Sequence, residues 1–336
     1  MTVHFGGPDQ PARALRDLLE ARVDAVPAGG AIDWMTYYFR DEKLAEAVVR
    51  AHERGVAVRV CVEGLPRRRG ANDRVIGILQ RGIGDGVRVD KRLLGASHLH
   101  TKLYVFSHPH PYALVGSFNP SGNDPEDPAV VADIGDQDRG HNLLAEIDDA
   151  ALVRAFIDRV AAIHSGQNPF GRLAVPARST VAGDGCQAAF YPRHAGNPLD
   201  HRLAELGPGA WLRVAASHIG DLRTRQQLAR LVERGGSVEV LTHHTLRRSP
   251  QAVVDYLRSH GIRTYRYEHP DELPMHAKFI LAEEAGTRWS AFGSYNLTRT
   301  SRRLNQELLV FSDDSGLWGE LDRRWDTILS EPWCKA

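Results

Sequence analysis

Apolar residues recur along this chain with two periods, and the two periods take turns. Residues 12–23 carry apolar positions at helical spacing, and 32–39 form a short β-rich run. Residues 41–54 are helical again, with Leu44, Ala45, Ala47, Val48 and Ala51 on one stripe and a stop at Gly55. Residues 56–62 read as a buried strand, 73–80 as a helix closed near Gly82, and 87–89 as a short strand. Over 100–106 a period of two puts His100, Lys102, Tyr104 and Phe106 on one face. Residues 112–116 return as the partner strand after the Pro-rich turn 107–111.

The second half repeats this order. Strands are expected at 211–217, 237–242, 263–267, 276–282, 290–293 and 307–311, with helices at 224–234, 251–260 and 317–329. Strands alternating with helices predict an α/β fold whose sheets are covered on both faces. Residues 166–179, rich in Gly, Pro and Arg and without periodicity, look like a connector. The expected organisation is a first lobe over 1–165, a linker over 166–182 and a second lobe over 183–336.

The two halves share landmarks as well as element order. Glu53-Arg54-Gly55 before the 56–62 strand is matched by Glu233-Arg234-Gly235 before the 237–242 strand. Arg67-Arg68-Arg69 is echoed by Arg247-Arg248, and Gly82 by Gly261. Offsets near 178 throughout mark an internal duplication.

Inside the repeat sits a chemical phrase. His100-Thr101-Lys102 is followed by Gly116-Ser117-Phe118-Asn119, and His276-Ala277-Lys278 by Gly293-Ser294-Tyr295-Asn296. Each copy supplies an imidazole, a fixed cation, a hydroxyl and a carboxamide, the groups needed to grip and attack a phosphate. On a strand, His and Lys two residues apart point to the same side, about 6.5–7 Å apart. Two copies could build one site across a pseudo-twofold axis.

This pattern resembles the phospholipase D superfamily, whose members carry two His-x-Lys motifs, each followed by Gly-Ser and Asn. The resemblance spans nearly the whole chain. It implies two pseudo-twofold-related α/β lobes, each a mixed sheet flanked by helices, with the active site at their interface. It also implies metal-independent phosphodiesterase chemistry without a cofactor. One histidine forms a covalent phosphohistidine, the other protonates the leaving oxygen, and water or an alcohol releases the product. Lys102 and Lys278 would neutralise the phosphoryl oxygens, with Ser117, Asn119, Ser294 and Asn296 as hydrogen-bond donors.

Two positions depart from the family pattern. The aspartate expected five residues after each lysine is Ser107 in the first copy and Glu283 in the second; tyrosyl-DNA phosphodiesterase members also lack it. The acid expected to support each histidine is Glu307 behind His276, while in the first half Asn142 falls opposite it, with Glu146 as the other candidate behind His100. About sixteen residues within 120–140 are inserted ahead of Asn142. On this pairing a carboxylate stabilises the His276 imidazolium, making it the general acid, and His100, backed by an amide, stays neutral as the nucleophile.

Composition sharpens the substrate question without answering it. Lysine plus arginine equals aspartate plus glutamate, 42 of each, so no global field draws the chain to nucleic acid or anionic membrane. Arg67, Arg68, Arg69, Arg247 and Arg248 form local basic clusters after equivalent strands, either solvated loops or a rim guiding a polyanion. Cys61, Cys186 and Cys334 show no disulfide or metal spacing, and Cys61 reads as a core thiol. His98, His108, His110, His243 and His244 are expected to be loop histidines rather than metal ligands. Trp34, Tyr37, Tyr38 and Phe39 are expected mostly in the core, with Tyr38 or Phe39 reaching the cleft. No apolar run is long enough to cross a membrane and no signal sequence is seen, so a cytoplasmic location is expected.

The partner is then a phosphodiester: a phospholipid, a nucleic acid or a small metabolite. A phospholipase D-type phosphodiesterase leads, with a nuclease of the same family or a catalytically degenerate phosphate-binding scaffold as alternatives. Holding both half-sites, the chain is expected to work as a monomer, with no stable protein partner.

Overall fold

The computed structural model describes residues 1–91, 97–123, 126–166 and 179–336. In the first lobe, β1 (Thr2–Gly6) and α1 (Ala14–Asp24) precede β2 (Ala31–Thr36), α2 (Glu42–Glu53), β3 (Ala57–Glu63), α3 (Asp73–Ile83) and β4 (Val87–Asp90). There follow β5 (Leu103–Phe106), β6 (Tyr112–Gly116), α4 (Pro128–Ile134), β7 (Asn142–Ile147) and α5 (Ala150–Ser165). The second lobe contains β8 (Thr180–Ala182), β9 (Cys186–Tyr191), α6 (Pro198–Glu205), β10 (Trp211–Ala216), α7 (Leu222–Glu233), β11 (Ser237–His243), α8 (Gln251–Ser259) and β12 (Arg263–Tyr267). It ends with β13 (Lys278–Glu284), β14 (Thr287–Gly293), α9 (Arg299–Arg303), β15 (Glu307–Ser312), α10 (Ser315–Ser330) and β16 (Cys334–Lys335).

The duplication is visible in the sheets. The first runs β4-β3-β2-β5-β6-β7-β1, and the second contains β12-β11-β10-β13-β14-β15-β9 with β16 and β8 added at its edges. In both, the first three strands are parallel and the rest antiparallel. Most of the expected connector lies outside the described residues; its described end, β8, pairs with β9.

Equivalent helices form for equivalent reasons. The Asp41 carboxylate accepts from Leu44 N at 2.7 Å and starts α2; Asp221 accepts from Thr224 N at 3.1 Å and starts α7. Both helices are closed by a glycine in the left-handed region, Gly55 at φ 91° and Gly235 at φ 90°. Leu44, Ala45, Ala47, Val48 and Ala51 are all buried, as their spacing predicts.

Each sheet has an outer core beneath its own helices, centred on Trp34, Phe39 and Val48 in one lobe and on Leu212, Leu228 and Leu257 in the other. A third core lies between the lobes, where Phe156 of α5 meets Phe190 and Trp325 of α10 meets Phe279. Burying each such side chain contributes roughly 1.5–3 kcal/mol. Cys61 is in this shared core, as expected of an inert thiol.

One expected strand is shorter than its alternation predicts. β5 begins at Leu103, so His100, Thr101 and Lys102 stand ahead of the ladder. The backbone there pairs instead with the opposite lobe, and that exchange builds the site.

Candidate functional site

The chain just ahead of each lysine departs from its own sheet and pairs across the lobe interface. Leu99 bridges Gln306 in parallel, with His100 N donating to Gln306 O at 2.9 Å. The mirror contact joins His141 to Met275, with His276 N donating to His141 O at 2.9 Å. Gln306 and His141 immediately precede β15 and β7. The first residue of each of those strands therefore arrives beside the other lobe's histidine.

This exchanges the expected partners. His100 Nδ1 donates to Glu307 Oε2 at 2.8 Å, and His276 Nδ1 donates to Asn142 Oδ1 at 2.9 Å. Glu307 is not behind His276, nor Asn142 behind His100, because the support crosses the pseudo-twofold axis rather than staying within a repeat. Glu146, the other candidate for His100, bonds Arg22 at 2.9 Å near β1 and takes no part. With the partners exchanged, the carboxylate argument for His276 as the better acid no longer holds.

The serines serve these partners. Ser294 Oγ donates to Glu307 Oε2 at 2.7 Å and accepts from Leu308 N at 3.0 Å. Ser117 Oγ donates to Asn142 Oδ1 at 3.0 Å and accepts from Leu143 N at 3.1 Å. Their protons are thus spent behind the histidines rather than on a phosphate, which corrects the expected donor role of both. The glycine before each serine is needed for close approach: a Cβ on Gly116 would lie 2.0 Å from Leu143 O, and one on Gly293 2.3 Å from Leu308 O. Glu307 Oε1 is held as well, by Ser301 Oγ at 2.7 Å and Asn305 Nδ2 at 3.2 Å.

Each lysine turns back onto its own motif. Lys102 Nζ donates to His100 O and Lys278 Nζ to His276 O, each at 2.7 Å. Asn119 Oδ1 accepts from Tyr38 N at 3.2 Å, while buried Asn296 Oδ1 has no partner among the described residues.

Residues 27–125 and 211–329, more than half of the chain, match the family described as cardiolipin synthase, PLD-like domain. The chain belongs to the phospholipase D superfamily. Its fold is similar to that of phosphatidylserine synthase from Haemophilus influenzae, at 12% identity and a TM-score of 0.66, covering 99% of this chain and 87% of that one. It is also similar to polyphosphate kinase from Porphyromonas gingivalis, at 15% identity and a TM-score of 0.65. That alignment covers 98% of this chain but spans only half the length of the kinase. No curated protein matches the chain.

Burial sets the electrostatics of this superfamily site. It drives the His100 imidazole down to about 4, against the raising influence of Glu307. His276 is pushed well below its ordinary value by burial and then by Lys278 and Arg248. Lys102 falls to about 7 through burial, partly offset by Glu307, and Lys278 falls well below its ordinary value through burial and Lys102. Burial alone would raise the Glu307 carboxyl, but His100 and Lys102 hold it below the usual carboxylate range. Two buried lysines that share one carboxylate leave positive charge here for an anion to meet and hold in its protonated form.

The two departures from the family motif lie at the far ends of their strands. Ser107 Oγ accepts from Ala31 N at 2.7 Å, and Glu283 pairs with Arg288 at 2.9 Å in the β13–β14 hairpin. Neither reaches the cleft.

The five arginines divide. Arg67 Nη2 pairs with Asp133 at 2.8 Å, Arg247 Nη1 lies 3.5 Å from His218 Nε2, and Arg248 Nη2 donates to Ile134 O at 2.8 Å. Arg68 and Arg69 instead line a separate groove with Arg40, Lys43 and Arg74. Arg248 is 5% exposed, so it is not the solvated rim residue that its sequence neighbours suggest.

Several contributors are not foreseen, or are misplaced, by the sequence reading. Tyr37 faces the site, its ring 4.9 Å from that of His100, whereas Phe39 lies in the outer core of the first lobe. Buried Glu63 accepts from Leu99 N at 2.8 Å and steadies the approach to His100. His243 is buried rather than a loop histidine, and His98 packs on Tyr37 at 5.2 Å. The ends of β2, β3, β10 and β11 converge here, the signal that strand carboxyl ends gather ligands.

Among the described residues, one group of three has metal-ligand proximity: Asp9, His141 and Glu331. Arg324 already occupies it, donating to Asp9 at 2.7 Å and to His141 Nδ1 at 2.7 Å. Among the described residues, no helix is long and apolar enough to cross a membrane.

Proposed function

We propose that the chain is a phosphodiesterase or phosphodiester-transferring enzyme that works through a phosphohistidine on His100. The observation that supports this reading is that both Nδ1 atoms are held by partners from the opposite lobe. Nε2 of each histidine is then the atom left for chemistry, beside two buried ammoniums. The His100 Nε2 lone pair attacks phosphorus, the bond to the leaving oxygen breaks, and His276 Nε2–H protonates that oxygen. Water or an alcohol then attacks phosphorus, giving its proton to His276 as the P–N bond breaks and His100 is restored.

His100 is the nucleophile for a different reason from the one its sequence suggests. Phosphorylation makes its ring cationic, and the Glu307 carboxylate 2.8 Å from Nδ1 stabilises that charge. His276 is neutral in the free protein; a bound phosphodiester anion offsets the surrounding cations and favours its imidazolium. The chemistry is the histidines' own and calls for no metal or cofactor. Both half-sites lie in one chain, so the unit we propose is a monomer.

The test is release of p-nitrophenol from bis(p-nitrophenyl) phosphate in excess EDTA, followed by alkaline quench and mass spectrometry. Turnover with an alkali-stable phosphoryl adduct on His100, absent from His100→Ala, is expected. An adduct on His276, or turnover abolished by EDTA, would overturn the reading.

A further inference from the structure

We propose that Arg67, Arg247 and Arg248 form a second phosphate subsite beside the histidine pair, so that the preferred substrates are phosphodiesters carrying a second phosphate rather than single-anion diesters. The inference rests on the phosphodiester reading above and names the class of substrate for that cleft.

Arg248 is the central observation. Its side chain is buried, one terminal nitrogen donates to Ile134 O at 2.8 Å, and its Nε and Nη1 have no partner among the described residues. A buried guanidinium with two idle donors is costly unless an anion comes to it. Arg67 is tied to Asp133, the residue before Ile134, so both cations are anchored at the end of α4 within the first-lobe insertion. Arg247 completes the group, close enough to depress both Arg248 and His218.

The group abuts both histidines through short chains of contact. Ile134 O also accepts from Gln137 Nε2 at 2.8 Å, and Gln137 O holds Asn142 Nδ2 at 2.8 Å, which leads to His276. Arg67 N donates to Tyr37 Oη at 2.7 Å, and the Tyr37 ring packs on His100. Burial and then Arg248 keep both His218 and His243 neutral, so the field on this side comes from the guanidiniums.

Charge counting points to the ligand. A phosphodiester carries one negative charge, and Lys102 and Lys278 already meet it. Three further guanidiniums, with Asp133 bound to one of them, await additional anionic charge. Their planar donors match phosphate oxygens pairwise better than they match a single point charge.

Calorimetry on the full chain in EDTA tests this without depending on turnover, using orthophosphate, pyrophosphate and thymidine 3′,5′-bisphosphate as sodium salts. Pyrophosphate reports a directly bonded second phosphate and the bisphosphate one a nucleoside away; either should bind wild type about 10-fold or more tightly than orthophosphate. Arg248→Gln should bring that ratio close to one. Should the buried substitution fail to fold, as judged by thermal melting, the exposed pair Arg67→Gln/Arg247→Gln decides, and should also erase most of the preference. Equal affinity of wild type for all three anions would overturn the proposal, as would a preference surviving in the double variant. His276→Ala should weaken all three anions alike. If it weakens none while the arginine-dependent preference remains, the proposed function falls and the subsite stands.

Discussion

The half-sites around His100 and His276 share a sheet order, a Gly-Ser turn and a lysine bonded to the histidine's own carbonyl. They differ in what lies behind the ring. His100 is backed by a carboxylate fixed by Ser294, Ser301 and Asn305; His276 is backed by an amide fixed by Ser117 and by the carbonyl of Gln137. A common scaffold thus yields two imidazoles of different character. The one beside an anion tolerates a positive ring, as a phosphohistidine requires. The one beside a neutral amide gives up its proton readily once protonated. On the proposed chemistry, symmetry of fold supplies the reacting pair, and one substituted position breaks it into roles.

The severest way to break this comparison is to remove either ring. His100→Ala and His276→Ala should each lower kcat on bis(p-nitrophenyl) phosphate by about 10³-fold or more, because the two act as a unit. A loss below tenfold in either would mean that they do not share a cleft.

Exchanging the partners sharpens it. Glu307→Gln should cost about 10²–10³-fold in kcat, less than the roughly 10⁴-fold that neutralising the acid of a Ser-His-Asp triad costs, whereas Asn142→Asp should cost less than about tenfold. Equal losses in steady-state rates would show that the partner's charge does not distinguish the halves.

The pH profile reads the same asymmetry. His100 must be unprotonated to attack, and its proton returns only as pH falls through about 4, so the acid limb of kcat/KM should lie near that region rather than near 6.5. Glu307 raises that value, so Glu307→Gln should move the acid limb lower still. Lys102 loses its proton as pH rises through about 7, and an anion favours the charged form. Orthophosphate binding above that pH should therefore take up protons, measurable by calorimetry in buffers of different ionisation enthalpy.

Smaller effects follow from the serines. Ser294→Ala, which loosens a buried carboxylate, should lower kcat about tenfold, and Ser117→Ala, which loosens an amide, about threefold. The smallest effect is expected at Arg69, which lines the separate groove; Arg69→Ala should change the rate by less than about twofold.

Much of this molecule is legible in its amino-acid sequence. The helical stripe of Leu44, Val48 and Ala51 and the stops at Gly55 and Gly235 report local requirements, and these are met. The partner of each histidine is not legible there, because aligning one repeat with the other pairs like with like and places Glu307 behind the histidine of its own half. Nor is the difference between Arg247 and Arg248, adjacent in sequence yet one exposed and one buried. The bond from Arg248 to Ile134 comes from an insertion that has no counterpart in the second half.

The sequence by itself therefore determined the repeated strands and helices of each half, the duplication and the chemical groups, though not β1, β7, β9 or α5, since helix and strand periodicity, caps and turn glycines act over a few residues. Only the tertiary structure decided who meets whom across the interface. There the lobes exchange bridges at Leu99–Gln306 and His141–Met275, and residues some two hundred positions apart become hydrogen-bond partners. Such contacts follow from the packing of one sheet against another around a shared core, and no local pattern records them.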